Sequence, residues 1–159
     1  MKIWFIRHAE AVDWETFPGS DHERPLTDRG IQRSKASFAN LAKKVNAPDL
    51  VFSSEAIRAW ETAQLFCDAF NVSDYVKTPV LNPGSSYKAI RKLVESVPDG
   101  TNMIVLIGHE PDFSSTVSQW TSGGTLNIKL KKGSLVELNV NGSGTATLTM
   151  SVPPKILAD

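Results

Sequence analysis

Two stretches of this chain are apolar without interruption, Ile3-Trp4-Phe5-Ile6 and Met103-Ile104-Val105-Leu106-Ile107. A strand with one face in water alternates apolar and polar residues, so unbroken runs predict strands buried on both faces, as in a parallel sheet covered by helices. A shorter run, Leu50-Val51-Phe52, follows Pro48-Asp49 and predicts another strand; a weaker one spans Tyr75 to Val80. Between the runs the period becomes helical. Ile31, Ser34, Phe38, Leu41 and Val45 share one face after the capping pair Thr27-Asp28. Ala56, Ala59, Ala63, Phe66 and Phe70 mark a second helix, and Ile90, Leu93, Val94 and Val97 a third. Phe113, Val117 and Trp120 mark a fourth, opening at Pro111.

Strands alternating with helices at this spacing argue for right-handed crossovers and an α/β fold whose sheet is covered on both sides. From about Leu126 the style changes. Leu135, Glu137 and Asn139 alternate with Val136, Leu138 and Val140, and Asn141-Gly142-Ser143-Gly144 offers a turn. Ala146, Leu148, Met150 and Val152 then continue the alternation, which predicts a C-terminal antiparallel hairpin. With no internal repeat or low-complexity tract, residues 1–159 read as one domain, and 153–159, opening at Pro153-Pro154, as a tail expected to fray.

Composition bounds what this fold can do. The 159 residues are 41% hydrophobic and 21% charged. A chain of this length buries roughly 68–70% of the surface its unfolded form exposes, enough for a core without metal or disulfide staples. The single cysteine, Cys67, cannot form an internal disulfide and suits a reducing cytoplasm. Seventeen Lys and Arg balance seventeen Asp and Glu, which removes the global field that draws proteins to nucleic acid or anionic lipid. Any anion site is therefore local. The first apolar run falls short of the roughly 7–15 residues of a signal peptide, and none approaches the roughly 18 of a membrane helix. A cytoplasmic protein without membrane or nucleic-acid partners is expected.

In an open α/β sheet, ligands bind beyond the carboxyl ends of the parallel strands. The first strand ends in Arg7-His8, the second leads through Ser53-Ser54-Glu55 to Arg58 in the first turns of a helix, and the fourth ends in Gly108-His109-Glu110-Pro111. Singly, each has an ordinary explanation: Arg58 is spaced to pair with Glu55 or Glu61, and His109 could cap the next helix. Together, two guanidiniums and an imidazolium facing a common point make an anion site, and guanidinium forks match phosphate oxygens. With no acidic metal box, no Cys/His ligand spacing and no G-x-x-x-x-G-K motif, the economical role for His8 is nucleophile toward phosphorus. No metal or cofactor is expected. The acidic residues Glu10, Asp13, Glu15, Asp21 and Glu23 read as a solvated loop, Trp4, Trp60 and Trp120 as packing aromatics, and Lys131-Lys132 as solvating a strand end.

Four strings carry a specific resemblance: Arg7-His8-Ala9; Arg24-Pro25-Leu26-Thr27-Asp28-Arg29-Gly30; Ser53-Ser54-Glu55-Ala56-Ile57-Arg58-Ala59-Trp60-Glu61-Thr62-Ala63; and Gly108-His109-Glu110-Pro111. In that order they resemble the signatures of the histidine phosphatase superfamily. The compact size and the Gly-His-x-Pro form are similar, within it, to the SixA-like phosphohistidine phosphatases. The resemblance covers nearly the whole chain. It implies a phosphoglycerate mutase-like fold, a three-layer α/β/α sandwich with a mixed, mostly parallel sheet. It also implies that His8 becomes phosphorylated while Arg7, Arg58 and His109 hold the phosphoryl oxygens, with Arg24 a further phosphate or substrate contact. Ala9 stands where the superfamily usually has Gly, so a positive φ there would force the first loop to adjust. Glu55 stands where Pro is common and places an acid near the site.

The expected reaction is a two-step transfer in which neutral His8 attacks in line and water then hydrolyses the phosphohistidine. Glu55, Glu110 and the acidic loop are candidate proton donors for an ester substrate. The segment from Arg58 to His109 already holds two helices and two strands, leaving little chain for a lid, so the expected substrate is phosphohistidine on a protein such as a histidine-containing phosphotransfer domain. The rival readings are a sugar- or glycerate-phosphate phosphatase or mutase of the same superfamily, and a phosphate- or phosphoprotein-binding module without turnover.

Overall fold

The computed structural model describes residues 1–142 and 144–158. In chain order they form β1 (Lys2–Arg7), α1 (Asp28–Ala42), β2 (Leu50–Ser53), α2 (Ile57–Phe70), β3 (Val76–Lys77), α3 (Tyr87–Glu95), β4 (Met103–Gly108), α4 (Asp112–Ser122), β5 (Leu135–Val140), β6 (Ala146–Val152) and α5 (Pro154–Ala158). One six-stranded sheet has the order β3-β2-β4-β1-β5-β6. The first four strands are mutually parallel where they pair, β5 runs antiparallel to β1, and β6 antiparallel to β5.

The two unbroken apolar runs are the central pair, in register from Lys2 opposite Met103 to Arg7 opposite Gly108. Successive side chains of a strand point to opposite faces. Ile3, Phe5, Ile104 and Leu106 therefore enter one core with Ile90 and Val94 of α3 and Phe113, Val117 and Trp120 of α4. Trp4, Ile6, Val105 and Ile107 enter the other, with Phe38 and Leu41 of α1 and Ala59, Ala63, Phe66 and Phe70 of α2. The result is the α/β/α sandwich the periodicities predict. Among the described residues, no helix is long and apolar enough to cross a membrane.

Three local expectations change. The strand around Tyr75 to Val80 shrinks to Val76–Lys77, because Pro79 lacks the N–H a ladder needs and opens a 3-10 turn at Pro79–Leu81. Tyr75 instead stacks on Trp60, with ring centroids 4.8 Å apart. The 153–159 tail, expected to fray, forms α5 over 154–158: Pro154 is buried, Leu157 packs on the second core, and its carbonyl accepts from Asn40 Nδ2 of α1. The hairpin forms with a register shift at Glu137/Leu138; of its expected turn, Ser143 lies outside the described residues, as does Asp159 at the end of the tail.

One glycine matters for the site. A Cβ at Gly30, in the first turn of α1, would collide with the Glu10 carbonyl oxygen. That close approach lets Glu10 and Thr27 join the loop after β1 to the cap of α1, where Thr27 N–H donates to Glu10 O and Thr27 Oγ1 accepts from Gly30 N.

Candidate active site

The carboxyl ends of β1 and β4 deliver His8 and His109 side by side, with ring centroids 5.2 Å apart. Arg58, in the first turn of α2, reaches the same place: its Nη2 lies 3.4 Å from His109 Nδ1. Arg7, His8, Arg24, Arg58 and His109 line one pocket of about 680 Å³ at this sheet edge. His8, Arg58 and His109 are only 5%, 4% and 3% exposed.

His8 is fixed by backbone. Its Nδ1 is 2.8 Å from the Ala9 carbonyl oxygen, which only accepts, so Nδ1 carries the proton and Nε2 keeps its lone pair. Burial pushes the ring's pKa well below 6.5; the Ala9 bond opposes this, while His109, Arg58 and Arg7 add to the depression. The ring is therefore neutral at physiological pH, the state a nucleophile requires. Ala9 has no positive φ, so the replacement of glycine strains nothing there; its N–H donates to Thr62 Oγ1, which donates in turn to the Arg58 carbonyl.

His109 is fixed by side chains. Asn82 Oδ1 accepts from the Glu55 N–H and from Ser54 Oγ, and Asn82 Nδ2 donates to Glu55 Oε2. With its proton committed to Asn82, Ser54 Oγ can only accept from His109 Nε2, 2.8 Å away. The neutral ring is thus protonated on Nε2 and presents Nδ1 as acceptor to Arg58. Burial and the Arg58 charge push His109 down to about 3, with Asp21 opposing. The expected imidazolium is therefore not the resting state of this side chain. Taking a ring out of water beside two guanidiniums favours neutrality, and only an anion placed among them reverses the sign.

The two arginines are braced from behind. Arg7 Nη1 donates to the Leu130 carbonyl, and Arg58 donates through Nη1 to the Asp21 carbonyl and through Nη2 to Asp21 Oδ2 at 3.0 Å. Burial lowers both guanidinium pKa values, opposed by Glu110 at Arg7 and by Asp21 at Arg58. Both keep their charge. The Nε atoms of Arg7 and Arg58 are buried and have no partner among the described residues. Unpaired buried donors are costly, and here they belong to groups whose forks match an oxyanion.

A sequence model described as the histidine phosphatase superfamily (branch 1) matches residues 3–82. The chain belongs to the histidine phosphatase superfamily. Its structure superposes on the protein histidine phosphatase SixA complexed with tungstate with a TM-score of 0.87, 25% identity and 99% of each chain covered. It superposes on an alpha-ribazole phosphatase from Shigella flexneri with a TM-score of 0.75, 20% identity and 97% of each chain covered, a likeness of fold alone. In sequence it is 27% identical over 150 residues to an uncharacterized protein of Mycobacterium leprae, covering 86% of this chain and 88% of that one.

Within this superfamily member, the remaining sequence candidates separate. Arg24 lines the pocket, but its Nε is engaged by Asp21 Oδ1 and its Nη1 by the Val12 carbonyl, so it also braces the loop after β1. Arg58 pairs with Asp21, and neither of the helix-spaced partners Glu55 and Glu61 is used: Glu55 holds Asn82, and Glu61 Oε2 accepts from the Leu26 N–H. Of the candidate proton donors, Glu10, Asp13 and Glu110 line the pocket. The acidic loop is only partly a solvated one, since Asp21 bridges two arginines and is held below the usual carboxylate range; partial burial opposes this, and the Arg24 and Arg58 contacts outweigh it. Sequence reasoning missed Asn82, which follows no motif, and the turn at 130–134, where Gly133 N–H donates to the Arg7 and His8 carbonyls and Lys132 lines the pocket.

Proposed function

We propose that this protein removes the phosphoryl group from phosphohistidine on another protein, through a phosphohistidine formed on its own His8. The observation that carries the chemistry is the His8 hydrogen bond to its neighbour's carbonyl, which leaves Nε2 bare and neutral among guanidiniums. In the first step Nε2 attacks phosphorus in line, the phosphorus–nitrogen bond of the substrate breaks, and the substrate ring departs. With its second nitrogen protonated that ring leaves as neutral imidazole, whose free pKa is roughly 6.5, so the pocket needs no strong acid. In the second step water attacks phosphorus, His8 leaves, and phosphate is released.

Arg7 and Arg58 hold the equatorial oxygens through their guanidinium groups. His109 takes up a proton as the dianion enters and donates from Nδ1, while Nε2 stays bound to Ser54. Arg24 contacts the phosphoryl group or the substrate beyond it. The charge that a divalent cation supplies elsewhere is thereby carried by side chains.

Two features support a protein substrate. The chain between α2 and β4 is spent on β3, a 3-10 turn and α3, and α3 packs on the sheet with α4, so it builds no lid. A pocket that this segment leaves uncovered can admit a histidine projecting from a partner's surface. The SixA likeness supports the same reading over that of a small phosphate substrate. Comparing kcat/KM for a phosphorylated histidine-containing phosphotransfer domain with values for sugar phosphates and phosphoglycerates decides between them. An advantage for the domain is expected, and an advantage for any small phosphate overturns the proposal.

A further inference from the structure

Trp14 is 67% exposed, whereas Trp4 and Trp120 are buried and Trp60 is half-buried under Tyr75. It sits in the wall of the pocket that contains His8, Arg58 and His109. Single exposed apolar residues are ordinary on protein surfaces; an exposed indole held at the mouth of a phosphoryl-transfer pocket is a different matter.

The loop that carries it is built, not slack. Asp13 Oδ1 accepts from the Glu15 N–H, and the Asp13 carbonyl accepts from the N–H groups of Thr16 and Phe17. Upstream, Ala11 bridges to Leu26, Val12 N–H donates to the Pro25 carbonyl, and Arg24 grips the Val12 carbonyl. Trp14 is thus the second residue of a braced turn, and its ring belongs to none of the buried clusters among the described residues. Lys132, from the turn behind β1, lines the same pocket. An exposed indole in the wall of this pocket fits a partner whose phosphohistidine is neighboured by apolar side chains. Rigid aromatics of this kind dominate binding energy at protein interfaces.

We infer that Trp14 is the specificity residue that grips the protein surface around the phosphohistidine, holding the partner while His8 acts. This rests on the protein-substrate reading above. It places Trp14 outside the chemistry, so its removal weakens KM and spares kcat.

The test uses the whole chain and three substrates: a phosphorylated histidine-containing phosphotransfer domain, N-phosphorylimidazole and phosphoramidate. Trp14→Ala is expected to raise KM for the domain by about tenfold and to leave its kcat, and both small substrates, within about twofold; Trp14→Phe recovers most of the loss. An equal loss on all three substrates assigns Trp14 a merely structural role, and a loss shared by N-phosphorylimidazole assigns it to the leaving ring; either overturns the inference, as does an unchanged KM for the domain. Failure of the substrate reading is separately visible in the unsubstituted protein, as a higher kcat/KM for a small phosphate, and takes the Trp14 inference with it.

Discussion

The ends of β1 and β4 present two histidines to one pocket by opposite means. At the end of β1, the tautomer of His8 is set by the carbonyl of the next residue, a group that no substitution removes. At the end of β4, the tautomer of His109 is set by a relay of side chains through Ser54 and Asn82 to Glu55. The first arrangement follows from chain direction alone and suits a group whose state must not vary. The second can be tuned, and it governs the group proposed to change its protonation as an anion arrives.

Breaking the β1 half has the largest expected effect. His8→Ala removes the proposed nucleophile and is expected to lower kcat by at least about 10⁴-fold, measured with phosphoramidate. Arg58→Ala comes next, at about 10²–10³-fold in kcat/KM with weakened phosphate inhibition, because it deletes a buried donor to the transferring group.

Asn82→Ala addresses the β4 half alone. The Ser54 hydroxyl is then free to turn its proton toward His109 Nε2, the other tautomer becomes accessible, and kcat/KM is expected to fall by about tenfold with an altered pH profile. A pH profile identical to that of the unsubstituted protein would remove the relay from the account.

Sulfate, a dianion throughout the useful range, tests His109 by a smaller effect. His109 lies at about 3 without an anion beside it and is raised when one binds, so binding takes up a proton. Affinity therefore falls as pH rises above about 3, by at most about tenfold per pH unit, and levels off once pH passes the value of His109 in the complex. His8, also depressed, acts in the same direction if it shares the uptake. Isothermal titration in two buffers of different ionisation enthalpy measures the uptake directly; zero uptake at pH 6 contradicts the role given to His109. The smallest expected effect is that of a chelator, which leaves turnover unchanged because Arg7, Arg58 and His109 carry the charge.

The sequence makes the four pocket groups legible because strand ends and helix starts are local events: Arg7-His8 and His109 follow apolar runs, and Arg58 opens a helical period. What it hides is tertiary. Asp21 meets Arg58 across the loop after β1, and Asn82 meets Ser54 across 28 positions of chain, and neither meeting leaves a period or a motif. The protonation of His109 is hidden for the same reason, since it depends on burial and on an arginine that arrives from another element. The shortness of β3, by contrast, is a local matter, because Pro79 ends it.

In the proposed reaction the phosphoryl group passes through His8 Nε2. Rapid quenching of the protein with a labelled phosphoramidate, followed by peptide mapping, tests it most directly. An acid-labile, base-stable adduct on Nε2 of His8 is expected, formed and consumed at least as fast as kcat; an adduct on His109, or full turnover with no adduct on His8, would overturn the assignment.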